Sequence, residues 1–466
     1  MDTYYQAEAL YLKNGFATNT GFWVDDTGRI TTTPGDASQA RTVAFPRRAV
    51  LPGLVNVHSH SFQRLIRGKS ESRRASGKDF WSWRGTMYHA AAQLTPQDVY
   101  DVARMTFLEM ALAGITTVGE FHYLQNDPAG RPYDDPNLLS EKVIAAARSV
   151  GIRIVLLRTA YFRSGYRLAA DSGQVRFFES RNDFLANTEA LIAAYRDQSS
   201  QVQIGVAPHS IRAVPLEDLR EVTAWAKAKN LPVHMHVSEQ VAENAACQAE
   251  YGATPVTLLA REGLLTGNLT AVHAIHITDD EIHMMADAGA AICACPTTER
   301  NLGDGVLSAD AVMRAGVPIA LGSDSQAQID LLEDARELDY HLRLSHQERA
   351  VLDQIEEQPI ASRLLECATI NGAHSLGVAA GELVSAAYAD FFTIDLDHPS
   401  IAGNSPEDLL PMVVFGSARP AIRDVAVNGK LIIRDRKHEL EEEIISRYKD
   451  VYAKVWSDAP QLRRRS

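Results

Sequence analysis

Eight short apolar or β-branched runs recur along this chain, and longer amphipathic stretches separate them. The runs occupy residues 50–57, 116–121, 152–160, 202–207, 232–237, 270–275, 290–295 and 317–322, with helical patterns at 99–113, 141–150, 216–229 and 309–315 among the stretches between them. Strands alternating with helices build a parallel sheet. Eight such units predict an α/β chain closed into a (β/α)8 barrel of the TIM type.

The two ends read differently. Residues 1–50 and 381–440 carry short strand patterns broken by turns, Asp26-Thr27-Gly28 near one end and Asn428-Gly429 near the other. Asn-Gly between β-rich runs is a strong hairpin signal. The expected organisation is therefore a small β-sandwich from 1–50 plus 381–440, a barrel over 51–380, and a helix with a tail over 441–466. Residues 61–114 are too many for a simple crossover and predict a binding loop or lid, with Phe80-Trp81-Ser82-Trp83-Arg84 inside it. A second irregular stretch lies at 124–140.

The bulk properties narrow the partners. At 466 residues with 45% hydrophobic side chains, the chain can bury a large core. A net charge of −13 argues against nucleic acid and against anionic membranes, which need a basic face. It leaves an acidic small molecule open, since a few local arginines suffice to bind one. Four cysteines without a pairing pattern, no basic-then-apolar start and no run of membrane-spanning length predict a cytoplasmic protein.

The chemistry gathers at run ends. The first run ends in His58-Ser59-His60, and a spacing of two puts both imidazoles on one face of a strand. The fifth holds His234 and His236, followed by Glu239. The sixth carries His273, and the eighth ends in Gly322-Ser323-Asp324. Each has a bland reading: buried histidines are often ordinary core residues, and a strand-end Asp often caps a helix. Together they are harder to dismiss, because strand ends converge on one mouth of a barrel. Three histidines and an aspartate suit one Zn²⁺ with an open position, although iron or manganese fit similar sets. Asp324 is then placed to bind the metal and accept a proton from water, Glu239 to carry a proton to a leaving nitrogen, and His273 to hydrogen-bond developing charge. The fourth run ends Pro208-His209-Ser210, without a lysine to bridge two metals.

These residues make the chain resemble the amidohydrolase superfamily, in its aminohydrolase branch. Leu51-Pro52-Gly53-Leu54-Val55-Asn56-Val57-His58-Ser59-His60 is similar to the superfamily's opening pattern, and His236-Val237-Ser238-Glu239 to the branch's fifth-strand motif. The resemblance makes His236 rather than His234 the metal ligand, beside His58, His60 and Asp324. Within the branch, His58-Ser59-His60-Ser61-Phe62-Gln63-Arg64, Glu120-Phe121-His122-Tyr123 and His209-Ser210-Ile211-Arg212 look most like the formimidoylglutamate deiminase group. That likeness implies zinc-dependent hydrolysis of N-formimidoyl-L-glutamate, a step of histidine breakdown. It implies a dicarboxylate amidine as small-molecule partner, a homodimer as in many relatives, and a substrate pocket lined by Gln63, Arg84, Tyr123, His209 and Arg212. Two arginines suit two carboxylates. Against this stand plainer roles, Arg84 packing on Trp81 or Trp83 and Tyr123 filling the barrel. Two other functions also stand against it: a deaminase of a cyclic amidine such as a nucleobase or triazine, and a non-catalytic metal-binding barrel. Two departures are visible. Gln326 stands where such relatives are expected to carry His, which bears on pocket shape, and Pro296-Thr297-Thr298 replaces an expected Leu-Ser-Thr.

Overall fold

The computed structural model describes residues 2–13, 15–33, 40–69, 71, 80–169, 171–355 and 358–457. The C-terminal tail beyond 457, with its arginine run, lies outside them. Eight parallel strands form one sheet in chain order: Leu54–Ser59, Ile115–His122, Arg153–Ala160, Val202–Pro208, Val233–Val237, Leu269–His273, Ala291–Ala294 and Ile319–Leu321. Each of the eight expected runs supplies one of them. They are buried along nearly their whole length, as strands covered on both faces must be. The first and eighth strands meet through a parallel bridge between Ser59 and Asp324. There the Asp324 N–H donates to the His58 carbonyl and the His60 N–H to the Asp324 carbonyl, each at 3.0 Å. The ring thus closes at the residues singled out for chemistry.

The first run divides in two. Residues 50–52 end a long strand, Arg41–Pro52, of another sheet, and the barrel strand starts only at Leu54. That other sheet has seven strands drawn from both chain ends. Arg41–Pro52 pairs in parallel with Thr3–Leu12 and antiparallel with Phe391–Asp395, so the N- and C-terminal segments share a single ladder. The sheet curls around its own core, where Tyr5, Phe22 and Phe45 pack against Phe391 at ring distances of 5.0–5.9 Å. Both expected turns form. Asp25 Oδ1 accepts from the N–H groups of Thr27 and Arg29. Asn428 and Gly429, at φ of 50° and 68°, make the two-residue hairpin between Ile422–Val427 and Lys430–Ile433.

Helix boundaries follow local signals. Thr95 and Asp98 form a reciprocal capping box with Pro96 in the first turn, and the helix Pro96–Leu112 follows. The C-terminal helix Glu441–Ser457 lies across it, tied by Lys454 to Asp98 at 2.6 Å and by Arg104 to Glu443. Among the described residues no helix is long and apolar enough to cross a membrane. The insertion after the first barrel strand contains a 3₁₀ segment, Ser61–Ile66, and a helix, Phe80–Ala91, which turns Trp83, Arg84, Met87 and Tyr88 to the barrel mouth. The side chains of Phe80, Trp81 and Ser82 lie outside the described residues.

Candidate metal centre and active site

His58, His60, His236 and Asp324 come together at the mouth, each offering one ligand atom, all within 4.8 Å of one another. Local structure aims them. His60 Nδ1 donates to the Phe121 carbonyl and His236 Nδ1 to the His209 carbonyl, both at 2.9 Å. Each Nε2 therefore keeps its lone pair for the cluster. His58 is fully buried, and Gly322 leaves room for it: a Cβ there would meet His58 Cβ at 2.7 Å. Its Nε2 stands 3.3 Å from Asp324 Oδ1 but outside hydrogen-bond geometry, so neither ring nitrogen has a hydrogen-bond partner. A buried imidazole left that way costs about 1–3 kcal/mol unless something else binds it. This donor set, three neutral imidazoles and a carboxylate around one point, fits a divalent cation. His234 is not part of it; its Nε2 lies 3.2 Å from the Ser375 carbonyl. A second set, His273, Cys295 and Asp324, is the weaker candidate, because burial pushes the Cys295 thiol well up and keeps it protonated.

Electrostatics separate the groups. Burial drives His58 down to about 3, and His236 well below its usual value with help from His209 and His58. Both rings are thus neutral, as ligands must be. Burial opposes ionisation of Asp324, yet His58, His60 and His273 hold its carboxyl well below the usual range. Burial lifts Glu239 to about 8, with Asp304 and Asp324 adding to the effect and His273 opposing it. Burial also works against a charged His273, but Glu239, Glu299 and Asp324 outweigh it and raise this imidazole well above its usual value. Glu239 and His273 stand 3.9 Å apart, close enough for the charge of each to act on the proton of the other.

Backbone conformation records the same concentration of constraint. Ser238, His273, Ala274, Asp324 and Gln326 all have φ between 44° and 72°, a left-handed region non-glycine residues seldom enter. Strain of this kind persists where the surroundings over-determine it, commonly at functional sites.

One cavity, with about 540 Å³ of empty space out to its open mouth, joins His60, His236 and Asp324 of the donor set to the five expected pocket residues Gln63, Arg84, Tyr123, His209 and Arg212. Gln63 Nε2 donates to the Tyr123 hydroxyl at 2.7 Å. Arg212 presents a buried Nη1 with no hydrogen-bond partner. Arg84 lies over the Tyr88 ring, 5.3 Å from its centroid, four residues on along the same helix; Trp83 is a neighbouring wall. Tyr123 reaches the cavity as well as the core, so barrel filling is only part of its role.

Other walls were not foreseen. Tyr88, Tyr161 and Phe177 line the cavity from the insertion and from the loop after the third strand. Only the i, i+4 spacing of Arg84 and Tyr88 hinted at one of them. Glu299 is a further residue that the sequence did not single out. It holds His273 Nδ1 at 3.1 Å and accepts from the Cys295 N–H at 2.8 Å, so it fixes which ring nitrogen faces the cavity. Gln326 does not line the cavity. It is fully buried behind the donor set, where its amide donates to Ser59 Oγ and the Asp324 carbonyl and accepts from Ser323 Oγ, at 2.8–2.9 Å. Its position in the barrel seam, rather than in the pocket, replaces the expected effect on pocket shape.

The Amidohydrolase family model matches residues 49–432. The chain belongs to the amidohydrolase family. This amidohydrolase is 34% identical over 437 residues to formimidoylglutamate deiminase of Pseudomonas aeruginosa, covering 94% of this chain and 96% of that protein. It is 29% identical over 438 residues to 8-oxoguanine deaminase of the same organism, covering 90% and 91%. The crystal structure of an amidohydrolase from Brucella melitensis matches it with a TM-score of 0.88 at 33% identity, over 97% of this chain and 99% of that one. Membership makes it a hydrolase acting on C–N bonds in a family whose members bind a metal.

Proposed function

We propose that this amidohydrolase hydrolyses N-formimidoyl-L-glutamate to N-formyl-L-glutamate and ammonia. In this reading one divalent cation, zinc first among them, is held by His58, His60, His236 and Asp324. The reading rests on one observation: a single cavity joins that donor set to two arginines. The substrate has two carboxylates, and planar guanidinium groups grip carboxylates through paired hydrogen bonds. A flat nucleobase would leave Arg212 buried and unpaired, a cost that disfavours it. The likeness to the Pseudomonas aeruginosa deiminase points the same way.

A bound cation of this kind supplies a Lewis acid that makes water acidic enough to attack near neutral pH. The chain's own groups do the rest. Asp324, held ionised, accepts the proton of the attacking water. Glu239 delivers a proton to the departing nitrogen as the C–N bond breaks. His273, its Nδ1 fixed by Glu299, turns Nε2 toward the charge that develops at the reacting carbon. Gln63 and Tyr123 add hydrogen-bond donors and acceptors for the substrate's polar end, and Arg84, Arg212 and His209 hold its carboxylates.

The deciding assay measures ammonia release by zinc-loaded protein from N-formimidoyl-L-glutamate beside 8-oxoguanine and 5-methylthioadenosine. Turnover of a base with none of the linear amidine would overturn the proposal. Two further outcomes are expected. Arg212→Gln exchanges charge-assisted pairing for at best neutral bonds, a loss of about 1.5–3 kcal/mol. KM should then rise roughly 10- to 150-fold with a smaller change in kcat. Stripping the cation with a chelator should abolish turnover and lower the melting temperature, since it leaves four buried donors unbound. Unchanged melting would remove the cation from the folded core.

A further inference from the structure

A second cavity, with about 830 Å³ of empty space, shares Arg212, His236 and Glu239 as walls with the site cavity. Its other walls include Leu168, Ala242 and Ala246, which are apolar, and Glu243. Leu168 is 62% exposed and stands at its rim, with nothing polar to offer. Glu243 accepts the Glu239 N–H through Oε2 at 3.1 Å, while its buried Oε1 has no hydrogen-bond partner. The space therefore offers aliphatic walls at Leu168, Ala242 and Ala246, beside the polar Ser210 and Gln240, directly next to the group placed to protonate the leaving nitrogen. An alkyl substituent on the leaving nitrogen has the matching part, an apolar tail that such walls bury.

We propose that this cavity receives a substituent on the leaving nitrogen, so that the enzyme also hydrolyses N′-alkylated formimidoyl dicarboxylates and releases a primary amine in place of ammonia. The inference rests on the reaction proposed above and extends its substrate class. Water adds its oxygen to the formimidoyl carbon, the bond from that carbon to the alkylated nitrogen breaks, and the protons of the water end on the amine. The products are the N-formyl amino acid and the free alkylamine, with no oxidant or further reactant. The dicarboxylate end stays with Arg84 and Arg212, and the alkyl group lies along Ala242 and Ala246.

The test compares N-formimidoyl-L-glutamate with its N′-methyl and N′-butyl derivatives, following N-formyl-L-glutamate and the released amine. The wild-type enzyme should process the butyl compound with kcat/KM within about tenfold of the parent, as a pocket that accepts methylenes allows. Ala246→Trp, and independently Ala242→Phe, should fill the space. Each should cut kcat/KM for the butyl compound by roughly thirtyfold or more while changing the parent's less than about threefold. Activity on the parent reports that each variant is folded. Failure of the wild type on the alkylated compounds alone, or equal losses on both substrates in both variants, would overturn the cavity's role. Failure on the parent as well would overturn the deiminase reading together with this extension.

Discussion

Asp324→Asn is expected to lower kcat/KM on N-formimidoyl-L-glutamate by roughly ten-thousandfold, the upper range for losing a general base. The substitution is informative because it should leave the backbone alone. Asp324 sits at a φ of 44°, and asparagine is among the few residues that enter this region readily. Its N–H and carbonyl, which bond to strand one, are unaffected by the change. What disappears is a negative charge that His58, His60 and His273 surround. The variant should melt as a folded protein, bind the cation more weakly in a chelator competition, and turn over almost nothing. Wild-type rates in that variant would take Asp324 out of the proton transfer.

The second large effect concerns stability. Arg153, at the start of the third barrel strand, is fully buried with Asp390, which precedes a strand of the terminal sheet. Its guanidinium makes paired bonds to both Asp390 oxygens at 2.9 Å, donates to Asn428 Oδ1 at 2.6 Å and to the Ser200 carbonyl, and lies 3.9 Å from the centre of the Tyr388 ring. Arg153→Met should cost about 3–5 kcal/mol, because Asp390 is left buried without its partner. The denaturant midpoint reports the loss. Arg153→Met combined with Asp390→Leu should recover most of it, since replacing both charges by apolar groups removes the uncompensated one. If the double variant is as unstable as the single one, the hydrogen bonds of Asn428 and Ser200, not the ion pair, join barrel and sheet.

Much of this architecture could be read from the chain because burial leaves its mark on composition. The eight barrel strands are covered on both faces, so each is a dense apolar run bounded by a helix pattern. That His58, His60, a fifth-strand histidine and Asp324 could share a site was readable because strand ends in a closed ring must converge, whatever lies between them in sequence; the preference for His236 over His234 came from the family resemblance. The same logic failed where burial was continuous across a boundary. Residues 50–57 look like one strand, yet the chain leaves the terminal sheet at Pro52 and enters the barrel at Leu54, both sides being equally apolar. Tyr161 and Phe177 were missed because they stand on irregular segments, where no period reports direction. Gln326 was placed wrongly because its neighbour in sequence, Asp324, faces the mouth. Two residues on, past a backbone in the left-handed region, the side chain turns back into the seam.

The seam has a consequence for how the protein is made. His58 and His60 leave the ribosome early, His236 near the midpoint, and Asp324 only when more than half of the chain has been synthesised. The edge that Asp324 completes is also the last edge of the ring. Incomplete chains therefore hold some of the donors but lack the fourth, and tight capture of the ion waits for the final barrel strand.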